Sequence, residues 1–154
     1  FLTACGSTVK AEEISQDPAQ LDDVCGVATG EENFTGVMSH DSWVNVGLSG
    51  EDTDAYMLIH NHTLLDDALV GITSDVAETM EIHRSQVSAA GEMQMIPEAS
   101  FFLPSKYMVE LLPGNYHLML MGLKRDLKVG DEITFTMQFE TYPDVAVKIP
   151  VKDW

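Results

Sequence analysis

From residue 42 onward, the chain alternates short apolar or apolar–polar runs with turn residues such as Pro113-Gly114-Asn115 and Gly130-Asp131. An alternation of apolar and polar positions predicts β-strands, because successive side chains of a strand point to opposite faces. No window in this region has the period of about 3.6 residues that is typical of a long amphipathic helix. The pattern predicts ten strands, over residues 43–48, 55–61, 68–74, 79–87, 92–96, 100–103, 107–111, 117–121, 132–140 and 145–151.

The strand pattern also predicts how the chain is divided. Ten short strands at regular spacing favour an all-β antiparallel sandwich or barrel, and 154 residues are enough for one such domain. Residues 5–38 are polar, acidic and weakly periodic, and we expect them to form a tether with a short helical piece around residues 18–24. The predicted division is therefore a signal-peptide remnant at 1–4, a tether at 5–38 and a β-domain at 39–154.

The first residues resemble the cleavage site of a bacterial lipoprotein. Leu2-Thr3-Ala4-Cys5 places one apolar and two small residues before a cysteine that can accept a lipid. This motif predicts a lipidated Cys5 and an extracytoplasmic protein, in the periplasm or on the outer face of the cell membrane, attached to the membrane only by its lipid. The sequence leaves two alternatives open, an unmodified thiol at Cys5 or a disulfide between Cys5 and Cys25.

The charge of the chain excludes one class of partner. It carries 25 Asp and Glu against 8 Lys and Arg, for a formal net charge of −17. Such a surface repels phosphate backbones and anionic lipid head groups, so we expect no nucleic-acid partner. No internal run reaches the roughly 20 apolar residues of a membrane-spanning helix.

Histidine and methionine residues fall together in the predicted strands. His117, Met119 and Met121 alternate, so they share one face of a strand, and His83 and Met95 lie in strands upstream. Imidazole and thioether ligands together suit Cu(I), a soft ion, whereas zinc sites more often include cysteine or carboxylate. Outside the cytoplasm thioethers also escape disulfide formation, so this ligand set fits an extracytoplasmic Cu(I) site.

The spacing of these residues is specific. Eleven residues separate His83 from Met95, twenty-one separate Met95 from His117, and Leu118 alone separates His117 from Met119. This pattern resembles that of the periplasmic copper chaperone family PCuAC, whose motif is His, an optional Met, ten residues, Met, twenty-one residues and His-x-Met. Arg84 stands at the position of the optional Met. The resemblance covers residues 43–151 and includes the segments 55–59, 67–71, 93–95, 112–123 and 127–131.

The resemblance implies a fold, a site and a role. The fold would be an antiparallel cupredoxin-like, that is immunoglobulin-like, β-sandwich, with one Cu(I) near its surface. Carried over position by position, the ligands would be His83, Met95, His117 and Met119. The role would be that of a copper chaperone, not an enzyme, with the CuA centre of cytochrome c oxidase as acceptor and a Sco-type protein as a further partner.

Other His and Met residues have simpler interpretations. Met93 and Met121 share strand faces with predicted ligands, so each could substitute for a ligand or form an apolar rim. His60 and His62 alternate around Asn61 and could form a second weak metal site, or could lie at an exposed strand end. We expect His40 to lie in a loop. The remaining methionines are expected to pack in the core: Met38, Met57, Met80, Met108 and Met137.

Three other functions compete with copper delivery. Copper sequestration or detoxification without a dedicated acceptor would use the same site. A blue-copper electron carrier needs a cysteine thiolate with two histidines, and no cysteine follows Cys25. A structural or adhesion sandwich would leave the His and Met residues incidental. Hydrolytic chemistry has no support, since the sequence holds no nucleophile elbow, His-Glu-x-x-His motif or phosphate-binding glycine loop.

Overall fold

The computed structural model of the protein describes residues 35–154, and these residues form ten strands where the pattern predicted ten. Cys5, Cys25, most of the predicted tether and its helical piece lie outside the described residues. The strands are β1 Val37–Asn45, β2 Thr53–Asn61, β3 Asp67–Thr73, β4 Ala77–Val87, β5 Met93–Glu98, β6 Phe101–Leu103, β7 Met108–Leu111, β8 Tyr116–Leu123, β9 Glu132–Phe139 and β10 Val145–Lys152.

The strands form two hydrogen-bonded groups joined at one pair. The first has the order β5-β4-β8-β2-β1, with β7 also paired to β2, and the second has the order β10-β9-β3-β6. The pairs within each group are antiparallel, which confirms the predicted all-β class. β1 and β10 join the groups and run parallel, with Val44 beside Val151 and Asn45 beside Lys152. A pair between the first and last strands depends on the whole fold, so no local pattern could predict it.

The core lies on the inner faces of the strands and leaves the candidate ligands outside it. Leu118 and Leu120 of β8 and Ile82 of β4 are buried in one cluster with side chains from the second group of strands, such as Phe135 and Ile149. Since side chains alternate along a strand, the residues between these core positions face outward. His117 and Met119 on β8, and His83 on β4, are therefore carried on the outer face of the first sheet.

Strand β1 begins at Val37, six residues before its predicted start at residue 43 and two before the domain boundary predicted at 39. Its first half pairs with β2 through the backbone, with Val37 beside Asn61 and His40 beside Leu58. The register shifts between His40 and Trp43, a bulge in which Asp41 has a φ of 42°. The prediction that His40 lies in a loop is therefore wrong, because these polar residues lack an apolar alternation and yet pair as a strand.

The packing prediction for methionine holds at Met57, Met80 and Met137 and is wrong at Met38 and Met108. Met57 and Met137 are fully buried, and Met80 packs against the core. Met108 on β7 is 39% exposed, so the prediction that it packs in the core is wrong. His60 on β2 pairs with Met38 on the neighbouring strand β1 and with Met108 on the neighbouring strand β7. Both methionines therefore share the outward face of this sheet with His60.

Candidate metal centre

The two predicted histidine ligands face each other across neighbouring strands. The antiparallel register of β4 and β8 pairs His83 directly with His117. Their ring centroids are 5.9 Å apart at an interplanar angle of 75°. Both residues are buried, with 8% of His83 and 2% of His117 exposed. Burial on the outer face of a sheet indicates that neighbouring side chains cover this pair.

The hydrogen bonds of the two rings leave one nitrogen of each as an acceptor. Nδ1 of His117 is 3.1 Å from the carbonyl oxygen of Asn115, and Nε2 of His83 is 2.8 Å from a carboxylate oxygen of Glu81. Because these oxygens accept, the two nitrogens donate, and the tautomers assigned from these contacts put lone pairs on His117 Nε2 and His83 Nδ1.

Both lone-pair nitrogens, His117 Nε2 and His83 Nδ1, are buried and have no hydrogen-bond partner within residues 35–154. A buried polar atom without a partner is costly and therefore rare in proteins. Metal-binding imidazoles characteristically hold one nitrogen in a hydrogen bond and present the other to the ion. The pair has this arrangement, so its donor chemistry fits a metal ion.

The two predicted methionine ligands lie on either side of His83. Met119 on β8 pairs with Glu81, two residues before His83 on β4, and Met95 on β5 pairs with Ser85, two residues after it. Diagonal neighbours on adjacent strands are roughly 7–8 Å apart, which a long, flexible Met side chain can bridge. The register thus brings all four predicted ligands to one patch on three neighbouring strands.

Register separates the other two methionines, Met93 and Met121, from this patch. Of the two predicted ligands, Met95 is 48% exposed and Met119 is half-buried beside the histidine pair. Met93 pairs with Val87 and Met121 pairs with Thr79, so each lies one outward-facing position further from His83 than the neighbouring predicted ligand. This register favours the rim interpretation of Met93 and Met121.

An acidic and an aromatic residue that the sequence reasoning missed complete the patch. Asp54 on β2 has one carboxylate oxygen 3.9 Å from His117 Nε2, and this oxygen is also buried without a hydrogen-bond partner in the described part of the chain. The Tyr56 hydroxyl donates to the other carboxylate oxygen at 3.4 Å. Burial, followed by the nearby Asp54 charge, raises the pKa of Tyr56 to about 12, so the phenol remains a donor at physiological pH.

Tyr56 also belongs to a row of aromatic rings beside His117. Its ring centroid is 6.4 Å from that of His117 and 5.0 Å from that of Trp43 on β1. Trp154 lies a further 6.1 Å from Trp43. Period-two alternation puts Asp54 and Tyr56 on the same face of β2, but only the pairing of β2 with β8 brings that face to the histidines. The sequence pattern could therefore predict that Asp54 and Tyr56 share a face, but not that this face lies beside His117.

His60 and His62 lie away from this patch. His60 faces outward from β2, four residues beyond Tyr56, and His62 follows the end of the strand. Burial and the neighbouring His40 lower the pKa of His60, the first effect being the larger. A lowered pKa favours the neutral imidazole, which is the form that binds metal ions.

Comparison with known proteins identifies relatives of the whole β-domain. Residues 37–151 match the family model described as "Putative lipoprotein LpqE-like". A protein of Leifsonia xyli subsp. xyli (strain CTCB07), named "Putative lipoprotein Lxx21020", is 32% identical over 119 residues, which are 77% of this chain and 71% of that protein.

No helix that could cross a membrane occurs among residues 35–154.

Solved structures share the fold. "Copper-bound PCuAC domain from PmoF2" is 25% identical with a TM-score of 0.64, covering 77% of this chain and 93% of that one. "Solution structure of CuI-DR1885 from Deinococcus Radiodurans" is 27% identical with a TM-score of 0.54, covering 73% and 77%. These likenesses confirm the predicted cupredoxin-like sandwich and the resemblance to PCuAC domains. Because the family model spans almost the entire described domain, the chain belongs to the LpqE-like family.

Proposed function

We propose that the protein is an extracytoplasmic copper(I) chaperone that binds one Cu(I) through His83, Met95, His117 and Met119 and passes it to another protein. The observation that carries this proposal is the pair of buried imidazole nitrogens that lack hydrogen-bond partners within residues 35–154, beside two methionines on the same face. Two of the similar structures hold copper according to their names, which supports the choice of ion.

The histidines form the fixed part of the proposed site. Asn115 and Glu81 hold the two rings, so little rotamer freedom is lost when the metal binds. Glu81 and Asp54 also add negative charge near a cation. As hard oxygen donors they are poor ligands for Cu(I), so we assign them to orientation and to charge, and the first coordination sphere to nitrogen and sulfur.

Met95 provides the exchangeable part of the site. Strand β5 is the edge of its sheet, and about half of the Met95 surface is exposed there. An acceptor that approaches this edge would displace the Met95 sulfur first and the buried imidazoles last. Each step breaks one bond from Cu(I) to this protein and forms one to the acceptor, so copper keeps its oxidation state throughout. The protein acts by binding and release and not as an enzyme.

An anaerobic titration tests the binding part of this proposal. The full chain is titrated with Cu(I) against a chromogenic chelator of known affinity. We expect one tight equivalent per chain, with affinity falling as pH drops, because protons compete for the imidazoles. A chain that cannot withdraw Cu(I) from the chelator would exclude the chaperone function.

A deletion strain separates delivery from storage. Delivery to the CuA centre of cytochrome c oxidase, alone or with a Sco-type partner, predicts a loss of oxidase activity in low copper that added copper restores. Sensitivity to excess copper with normal oxidase activity would instead support sequestration. Transfer to the isolated CuA subunit, followed by its visible absorption, measures the delivery step directly.

The proposed place of action is the outer face of a membrane, with Cys5 as the lipid attachment point. The lipoprotein name of the Leifsonia relative supports an anchor. We expect Cys5→Ser to release the protein into the soluble fraction and to leave Cu(I) affinity unchanged, because the described site uses no cysteine. A variant that stays with the membrane after carbonate washing would rule out the anchor at Cys5.

A further inference from the structure

A second group of histidines lies on the outward side of the same sheet. One ring nitrogen from each of His40, His60 and His62 lies within 4.8 Å of the other two. The ring centroids of His60 and His62 are 3.6 Å apart, and those of His40 and His60 are 6.5 Å apart. Nitrogen atoms this close together could bind a single metal ion, and a search of residues 35–154 for three such His, Cys, Asp or Glu side chains finds this group.

The fold builds this cluster from two strands and a fixed turn. The register of β1 and β2 pairs His40 with Leu58, so His40 lies diagonally across from His60 on the outward face. A bulge follows His40, with Asp41 at a φ of 42°, so the regular pairing of β1 with β2 is interrupted directly after His40. Bulges commonly redirect a side chain near functional sites.

The turn that carries His62 is held on both sides. Asn61 is fully buried, and its side-chain amide donates to the carbonyl oxygens of Leu65 and Leu103, each at 3.0 Å. The His62 amide donates to the Gly36 carbonyl at 2.8 Å, and Lys106 Nζ donates to the His62 carbonyl. These contacts fix the backbone at His62, so the third ring of the cluster is not carried on a free loop.

The nitrogen atoms need only small shifts to bind one ion. Bonds of about 2.0 Å in a tetrahedral site put ligand nitrogens roughly 3.3 Å apart, and the nitrogens here lie within 4.8 Å of one another. Side-chain rotations that move each nitrogen by about 1 Å are enough to close the gap between these two distances. Nδ1 of His60 is buried and has no hydrogen-bond partner within the described residues, so no hydrogen bond has to be broken before this nitrogen binds an ion.

We propose that His40, His60 and His62 form a second metal site, which takes a divalent transition-metal ion and prefers Cu(II). Three imidazoles without a thiolate suit borderline ions such as Cu(II) and Zn(II), and the order of divalent affinities puts Cu(II) above Zn(II). Harder ions such as Ca²⁺ take oxygen ligands. His60 is four residues along β2 from Tyr56, roughly 13 Å of strand, so the two sites bind separate ions.

The histidine content makes the test direct. The chain has five histidines, and the two sites account for all of them. In a His83→Gln/His117→Gln variant, every remaining imidazole belongs to the cluster. We expect this variant to bind one Cu(II), with an electron paramagnetic resonance signal that shows coupling to two or three imidazole nitrogens. We expect Zn²⁺ to displace the Cu(II) only when it is in large excess.

The matched variant removes the cluster and keeps the first site. We expect His40→Gln/His60→Gln/His62→Gln to bind Cu(II) at least about 100-fold more weakly while binding Cu(I) as the parent does, which also reports correct folding. Cu(II) bound equally well by this variant, or bound by the first variant through one imidazole or none, would overturn the second site. Failure of the Cu(I) titration alone would count against the proposed chaperone function and not against this cluster.

Discussion

Replacing His117 and Met119 together by alanine is expected to abolish tight Cu(I) binding, weakening it by more than about 100-fold. The expectation rests on the lone-pair nitrogen of His117, which is buried and directly opposite His83. Removal of a partner that only orients a ligand typically costs 10–100-fold in metal affinity, so the loss of two ligands costs more. The remaining His83 and Met95 could hold Cu(I) only weakly, with their other coordination positions open to competing chelators.

The fold should survive this double substitution. Both residues face away from the core, whose β8 contribution comes from Leu118, Leu120 and Leu123. The control is Met121→Ala, on the same strand and the same face but paired with Thr79, one outward-facing position further along. The measurement is anaerobic chelator competition for parent and variants, with circular dichroism to verify folding. Equal Cu(I) affinity in the parent and the double variant would show that the ion binds elsewhere.

The sequence predicted the strands well because their chemistry is local. Each strand has a buried and an outward-facing side, so apolar and polar residues alternate along its sequence. The exceptions have non-local causes. The first half of β1 is paired by its backbone while its side chains stay polar, so its start at Val37 and the strand position of His40 were missed. The parallel contact of β1 with β10 joins positions more than one hundred residues apart.

The candidate site likewise has residues that a local pattern could predict and residues that only the strand pairing brings together. The spacing of His83, Met95, His117 and Met119 could be recognised because it is a one-dimensional pattern. Asp54 and Tyr56 could not, because their relation to His117 depends on which strand pairs with which. The same holds for the second cluster. His60 and His62 are only two residues apart in sequence, but the third member of the cluster, His40, lies close to them only because of the register of β1 on β2.

Replacing Met95 by leucine is expected to weaken Cu(I) binding by about 10–100-fold, whereas Met93→Leu should change it by no more than about twofold. The two methionines lie on the same edge strand and the same face, are both well exposed, and differ mainly in register: Met95 pairs with Ser85, next to His83, and Met93 pairs with Val87.

Leucine keeps the size and apolar character of methionine but lacks the sulfur, and at exposed positions it should alter the unfolding free energy by less than about 0.5 kcal/mol. A selective loss in Met95→Leu therefore reports coordination and not packing. The dissociation rate should rise by a similar factor, since the edge-strand sulfur is the ligand that an acceptor displaces first. If both variants lose affinity equally, the two sulfurs share the ion. If Met93→Leu alone loses it, the ligand is Met93, and the point of copper release moves one pair further from the histidines, toward the start of β5.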